Sequence, residues 1–332
     1  MPQRILNASQ MKWPADWPAI FDRNAPLIME LGFGNGRFLV DLAAKKPESN
    51  VIGVEISWRS IKRCLRQIDR NHQENARVIY GSGLLALWAL FKPKTIEELY
   101  LNFPDPWPKK AHHHRRLINR RFLNLLASRM PEGASLDIAT DHEEYATWIS
   151  EHLIQNRYFE SRVPTTVVNE APERFQTKYE RKARASHRDC YYFLWQRNGQ
   201  ASSEDFPVPK EYNMPHANLQ IPLGIDTIFR ELRPTQKQAG GIVVRFSNLF
   251  LSDRGNVILV DTYIRELPLE QHVMIAIKER RKGNFLVYIY ETGHPRSTEG
   301  VHFALQSLTR QLGALHPESA LLRHNLYGFQ LE

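Results

Sequence analysis

Along the first 200 residues, short apolar runs alternate with stretches in which apolar residues recur every three or four positions. The runs at 27–33 (LIMELGF), 51–56 (VIGVEI), 77–80 (RVIY), 96–103 (IEELYLNF), 134–140 (ASLDIAT) and 189–195 (DCYYFLW) predict strands. Between the first two, 36–46 places Phe38, Leu39, Leu42 and Ala43 on one helical face, and between the second and third Ile61, Leu65 and Ile68 share a face. Strands alternating with helices of this length predict an α/β fold built on a parallel, doubly wound sheet. A polar stretch with two prolines follows (NGQASSEDFPVPKE), and it reads as a linker over 201–210 between a domain at 1–200 and another at 211–332. In the latter, runs at 242–246, 257–263, 272–278 and 285–290 predict strands. Turns at Asp253-Arg254-Gly255-Asn256 and Arg281-Lys282-Gly283-Asn284 separate two of the pairs, and a helix carries Val301, Ala304, Leu305 and Leu308 on one face. This pattern predicts a small α+β domain.

At 332 residues the chain is long enough for two cores. No apolar run approaches the ~18–20 residues that cross a bilayer, and the first residues (MPQRILNASQMKW) have no apolar signal-peptide segment, so no membrane partner is expected. Two cysteines, Cys64 and Cys190, are too few for a disulfide scaffold, and a reducing cytoplasm is the expected setting. The three adjacent histidines His112–His114 lack the spacing that faces one ion, so no metal is expected. Charge is unevenly divided: residues 1–200 hold 30 Lys and Arg against 22 Asp and Glu, whereas 201–332 hold 14 of each. The basic excess belongs to the first domain, either as a solvated surface or as the footprint of a polyanionic partner such as nucleic acid.

The segment Glu30-Leu-Gly-Phe-Gly-Asn-Gly36 lies directly after the first strand. Glycines there permit a tight turn and close backbone approach to a ligand. The dinucleotide fingerprint requires glycine where this chain has Arg37, which argues against a hydride-transfer cofactor. Glu30 could accept from the ammonium of an amino-acid moiety. Glu55 ends the next strand 19 residues after Gly36, where a carboxylate can grip two ribose hydroxyls. An adenosine ligand with an amino-acid tail and no phosphate is S-adenosylmethionine.

Strand four runs into Asn102-Phe-Pro-Asp-Pro-Trp-Pro-Lys109. Prolines stiffen the backbone around Asp105, and Trp107 offers a stacking face. The cations Lys109, Lys110, Arg115, Arg116, Arg120 and Arg121 would form an apron for a phosphate track beside a base-binding site. A second basic run (Arg174, Lys178, Arg181, Lys182, Arg184, Arg188) reads as a solvated face or as the other wall of an RNA groove.

These motifs resemble the bacterial tRNA (guanine-N7-)-methyltransferases. That family carries E-x-G-x-G-x-G, then F-P-D-P-W-x-K, then A-T-D-x-x-x-Y, then T-x-[FY]-E. The counterparts here are Glu30–Gly36, Phe103–Lys109, Ala139-Thr140-Asp141 with Tyr145, and Thr177-Lys178-Tyr179-Glu180, all in order over about 25–197. The resemblance implies a Rossmann-like class I S-adenosylmethionine-dependent methyltransferase sheet. It also implies that Glu30, Gly32, Gly34, Gly36, Glu55, Ser82 and Asp105 contact the donor, with Asp105 catalytic. Lys109, Asp141, Thr177, Lys178, Tyr179 and Glu180 would then contact tRNA at its variable-loop guanine, position 46 in conventional numbering. The family usually places an acid where this chain has Ser82, which predicts altered donor affinity rather than a lost donor. Residues 205–332 lie outside the family's common pattern, and a monomer and a homodimer both remain open.

Overall fold

The computed structural model describes residues 4–8, 10–172, 174, 180, 188–202, 206–290 and 295–328. The chain divides into two compact units, Met1–Val208 and Pro209–Glu332.

In the first unit, eight strands form one mixed sheet. In chain order they are β1 (Ile5–Asn7), β2 (Leu27–Leu31), β3 (Asn50–Glu55), β4 (Ala76–Tyr80), β5 (Ile96–Asn102), β6 (Ser135–Thr140), β7 (Phe159–Ser161) and β8 (Tyr191–Arg197). The order across the sheet is β1-β4-β3-β2-β5-β6-β8-β7. The strands from β1 to β6 are parallel to their neighbours, whereas β8 runs antiparallel to both β6 and β7. The expected all-parallel sheet is therefore corrected at its far edge. There β8 enters the gap between β6 and β7 and pairs with both in hairpin sense.

The helices owe their limits to local chemistry. Helix α1 (Trp17–Phe21) is short and buries Trp17 and Phe21. Helix α2 (Arg37–Lys45) starts at Gly36 and buries Phe38, Leu39, Val40, Leu42 and Ala43. Helix α3 (Trp58–Arg70) has Ser57 as its N-cap and buries Ile61, Cys64 and Ile68 at helical spacing. Helix α4 (Gly83–Leu90) escapes periodicity because its sequence, GLLALWAL, is apolar on almost every side. Asn119 and His142 cap α5 (Arg120–Arg129) and α6 (Glu143–Gln155) by accepting from Phe122 N at 3.0 Å and Tyr145 N at 3.3 Å. Trp17 stacks on Phe91 at 4.8 Å and Trp13 meets Trp88 edge-on at 6.1 Å, so the N-terminal tryptophans pack rather than present free faces.

The second unit is a seven-stranded antiparallel sheet. Its strands are β9 (His216–Gln220), β10 (Thr235–Ala239), β11 (Ile242–Leu251), β12 (Val257–Glu266), β13 (Leu269–Arg281), β14 (Asn284–Ile289) and β15 (Ala320–His324), ordered β10-β11-β12-β13-β14-β9-β15. Its core joins inward residues such as Val244, Ile258, Val260, Ile275 and Val287 to Val301, Ala304, Leu305 and Leu308 of helix α8 (Glu299–Gly313) and to Ile225 and Ile228 of helix α7 (Ile225–Glu231). Among the described residues, no helix is long and apolar enough to cross a membrane.

Candidate functional site

In the first sheet the chain turns one way from β2 to β3 and the other way to β5, so the crevice beyond the carboxyl ends of β2 and β5 is the topological switch point. The glycine loop occupies it. Gly32, Gly34 and Gly36 all have left-handed backbones, with φ of 71°, 55° and 76°. Gly32 faces open space: a Cβ there would meet nothing within 4 Å. At Gly36 a Cβ would lie 2.3 Å from Cys64 Sγ and 2.9 Å from Cys64 Cα, so this glycine lets α3 press against the loop. Cys64 is fully buried there, and burial pushes its thiol well above the usual range.

Glu55 braces the loop. Its Oε2 accepts from Gly34 N at 3.1 Å, while Oε1 accepts from Ile56 N and Ser57 N, each at 2.9 Å. Three of the four lone-pair sites are thus used, and Oε2 keeps one for a ribose hydroxyl, while a second hydroxyl would have to share Oε1 with the Ile56 and Ser57 amides. Ser82 precedes α4, is exposed, and makes no side-chain bond to the helix it starts.

Glu30 differs sharply from Glu55. It is 1% exposed. Its Oε1 accepts from Asn102 Nδ2 at 2.8 Å, whereas its Oε2 is buried with no hydrogen-bond partner among the described residues. Burial pushes its carboxyl from 4.5 up to about 7, opposed by the Asn102 bond and by the Arg174 charge. On the other side of the same amide, Arg174 donates from Nη2 to Asn102 Oδ1. The guanidinium lies over Phe38 at 5.4 Å and Tyr192 at 5.6 Å, and its buried Nε and Nη1 have no hydrogen-bond partner among the described residues. Arg174 belongs to the run expected as a solvated face or as the second wall of an RNA groove; instead its charge points inward to the switch point. A buried acceptor, shielded donors and an open glycine turn suit an adenosine ligand with an amino-acid tail.

Beyond Asn102 the backbone is strained. Phe103 and Trp107 have positive φ, 54° and 44°, in a segment that carries Asp105 between two prolines. Asp105 is exposed, and among the described residues its carboxylate makes no hydrogen bond or ion pair. Arg116 holds the segment in place. Its side chain is buried, its Nε donates to Pro106 O at 2.8 Å, its Nη2 donates to Glu144 Oε1 at 2.9 Å, and it lies over Tyr145 at 5.3 Å and Trp148 at 4.9 Å. It was expected in the phosphate apron, and its burial removes it. Lys109, Lys110, Arg115, Arg120 and Arg121 are exposed, and Arg115 covers the Trp107 ring at 4.9 Å. His112 meets Trp107 edge-on, and His113 lies 3.3 Å from Glu144, so two of the three adjacent histidines have packing partners. Among the described residues, no group of three or more His, Cys, Asp or Glu could hold a metal ion.

Asp141 follows β6 and is ion-paired with Arg188. Glu180 is buried. Thr177, Lys178 and Tyr179, and with them Arg181, Lys182 and Arg184, lie outside the described residues. Sequence reasoning therefore finds Glu30, Glu55 and Asp105 on adjoining strand ends, and misses Asn102, Arg174 and Arg116. Asn102 had one signal available, its place as the last residue of the strand before the proline-rich segment.

A family model described as a putative methyltransferase matches residues 24–193. A tRNA (guanine-N(7)-)-methyltransferase of Thermus thermophilus is 32% identical over 312 residues, covering 93% of this chain and 96% of its own. One of Coprothermobacter proteolyticus is 30% identical over 317 residues and covers 93% of both chains. One of Halorhodospira halophila is 38% identical over 168 residues, which is 50% of this chain and 73% of its own. The first two matches run into the second unit, whereas the third covers half of this chain, so the region expected outside the family's common pattern is matched in some relatives and not in others. The chain belongs to the tRNA (guanine-N7-)-methyltransferase family.

Proposed function

We propose that this protein transfers a methyl group from S-adenosylmethionine to N7 of a guanine in tRNA, with variable-loop guanine 46 as the target. The observation that carries this reading is the pairing at one sheet edge of a buried, half-satisfied carboxylate with a rigid exposed one. Glu30 is the penultimate residue of an apolar strand, with Oε2 unpartnered among the described residues, and Asp105 sits three residues beyond the amide that bonds Glu30. Glu30 would accept from the donor's ammonium, Glu55 from its ribose hydroxyls, and Gly32 would admit its backbone-close approach. Ser82 supplies one acceptor where the family usually has a carboxylate, which favours weaker adenine binding.

The donor supplies an electrophilic methyl group on a sulfonium. Guanine N7 already has an in-plane lone pair, so no proton must leave before attack, and alignment supplies most of the rate. Methylation brings positive charge onto the purine, and the Asp105 carboxylate stabilises it. A carboxylate also matches guanine N1–H and N2–H₂ on the edge away from N7, a role open to Asp105 or Asp141. For Asp141 that role requires exchange with Arg188. The exposed cations Lys109, Lys110, Arg120 and Arg121 would follow the tRNA backbone, since structured RNA is chosen largely through shape and phosphate contacts.

The test is methyl transfer from labelled S-adenosylmethionine to a tRNA transcript, followed by borohydride–aniline cleavage, which cuts at 7-methylguanosine. A single cut in the variable loop, absent with Asp105→Ala, is the expected result. Label without a cut would refute transfer to N7. Absence of label under conditions where the donor binds would refute tRNA as the substrate.

A further inference from the structure

Two buried groups of opposite charge have unused hydrogen-bonding capacity, and one side chain stands between them. Among the described residues, Glu30 Oε2 lacks a donor, and Arg174 Nε and Nη1 lack acceptors. The Asn102 amide gives its N–H to Glu30 and takes an N–H from Arg174, so it spaces the two charges by the width of one amide. Leaving such groups shielded and unpaired is costly, and native structures keep few of them. A single anion would satisfy Arg174 but repel Glu30, and a single cation would do the reverse. A zwitterion whose opposite charges stand on one carbon satisfies both. An α-amino acid group is that zwitterion.

We propose that Arg174 is the carboxylate-binding half of a clamp for the amino-acid tail of the methyl donor, with Glu30 as the ammonium-binding half and Asn102 as the spacer. The proposal rests on the donor reading above and goes beyond it by naming the residue that makes the site demand a carboxylate. Guanidinium suits the role because it stays charged when buried and presents its donors in a rigid fork. Desolvation pulls Arg174 below its usual range, while Asp137 and Glu180 favour the charged form. The rings of Phe38 and Tyr192 hold its plane and shield it from water, which strengthens whatever it binds. The consequence is selectivity: a donor lacking the carboxylate leaves Arg174 unpaired and is rejected.

The experiment is titration calorimetry on the full chain with S-adenosylmethionine, its decarboxylated analogue, and 5′-methylthioadenosine, which lacks the whole amino-acid group. The wild type is expected to prefer S-adenosylmethionine to the decarboxylated analogue by about 10- to 100-fold, the usual range for a charge-assisted hydrogen-bonded pair. Arg174→Met is expected to reduce that preference to about threefold or less by weakening S-adenosylmethionine alone, with methylthioadenosine affinity unchanged. Methylthioadenosine thus reports whether the adenosine site is intact. A wild type that does not distinguish the two donors overturns the proposal, and so does an Arg174→Met variant that still does. Equal loss of all three ligands in Arg174→Met would overturn it too, by making the residue structural. Should that variant fail to fold, Arg174→Lys is titrated instead, with an intermediate preference expected and an unaltered one overturning the clamp. Failure of every adenosyl ligand to bind the wild type would refute the donor reading itself, a result distinct from binding without discrimination.

Discussion

Glu30→Gln tests the cost of keeping a carboxylate buried for a ligand. Burial pushes the Glu30 carboxyl from 4.5 up to about 7 in the folded protein, a difference that corresponds to about 3 kcal/mol. The folded state holds its proton to higher pH than the unfolded state does. The unfolded chain therefore binds fewer protons between about 4.5 and 7, and stability falls as pH rises across that interval. Glutamine keeps the oxygen that accepts from Asn102 and removes the ionisation. All seven tryptophans lie in the first unit, so urea unfolding followed by tryptophan emission reads that unit alone. From pH 5 to pH 8 the wild type should lose about 2.5 kcal/mol relative to Glu30→Gln, with the curves converging below pH 4.5. Saturating S-adenosylmethionine should flatten the wild-type curve, because its ammonium favours the charged carboxylate, and should leave the variant unaffected. Parallel wild-type and variant curves would show that Glu30 ionises as it would in water and would sink the argument.

Gly36→Ala should destabilise the first unit by about 2–5 kcal/mol, combining left-handed strain with overpacking against Cys64, whereas Gly32→Ala should cost only about 1–2 kcal/mol from strain yet weaken donor binding. The same unfolding assay, paired with calorimetry, decides it, and equal destabilisation would refute the packing account. Arg116→Met should cost about 2 kcal/mol by leaving Pro106 O without its donor, and should lower turnover while donor affinity holds. A single-turnover measurement in which the variant keeps the wild-type rate would show that the Asp105 segment needs no such brace.

Much of the fold is local in origin and so was legible. The runs that became β2 and β3 are buried along nearly their whole length, as are β5 from Leu99 on and β6 from Leu136 on, so short, largely apolar runs mark them. Strands β1 and β7 have three residues each, too few to establish a period. The antiparallel sense of β8 depends on which neighbours it meets, which no property of its own seven residues expresses. At the site, Glu30, Glu55 and Asp105 belong to short motifs in which spacing along the chain stands in for spacing in space. Arg116 and Arg174 do not. Each lies within a run of cations, and the ring or carbonyl that draws it inward comes from a distant segment: Trp148 for Arg116, Asn102 for Arg174. Composition marks both as surface residues, and only tertiary packing separates Arg116 from the exposed Arg115 beside it.

The Asn102 bridge also governs when the site can come into being during synthesis. Its two partners lie 72 residues before it and 72 residues after it. A nascent chain that has emerged through β4 already contains the whole glycine loop, yet it lacks both the amide that meets Glu30 and the cation that meets the amide. Until the segment bearing Arg174 leaves the ribosome, Glu30 is free to stay in water or to be buried as a neutral acid. Domains fold as units from the N-terminal end as they emerge, so the Asn102 bridge is completed by one of the later parts of the first unit to be made. Ribosome-bound fragments ending before β5 would carry the most recognisable motif in the protein without the cleft that gives it a use.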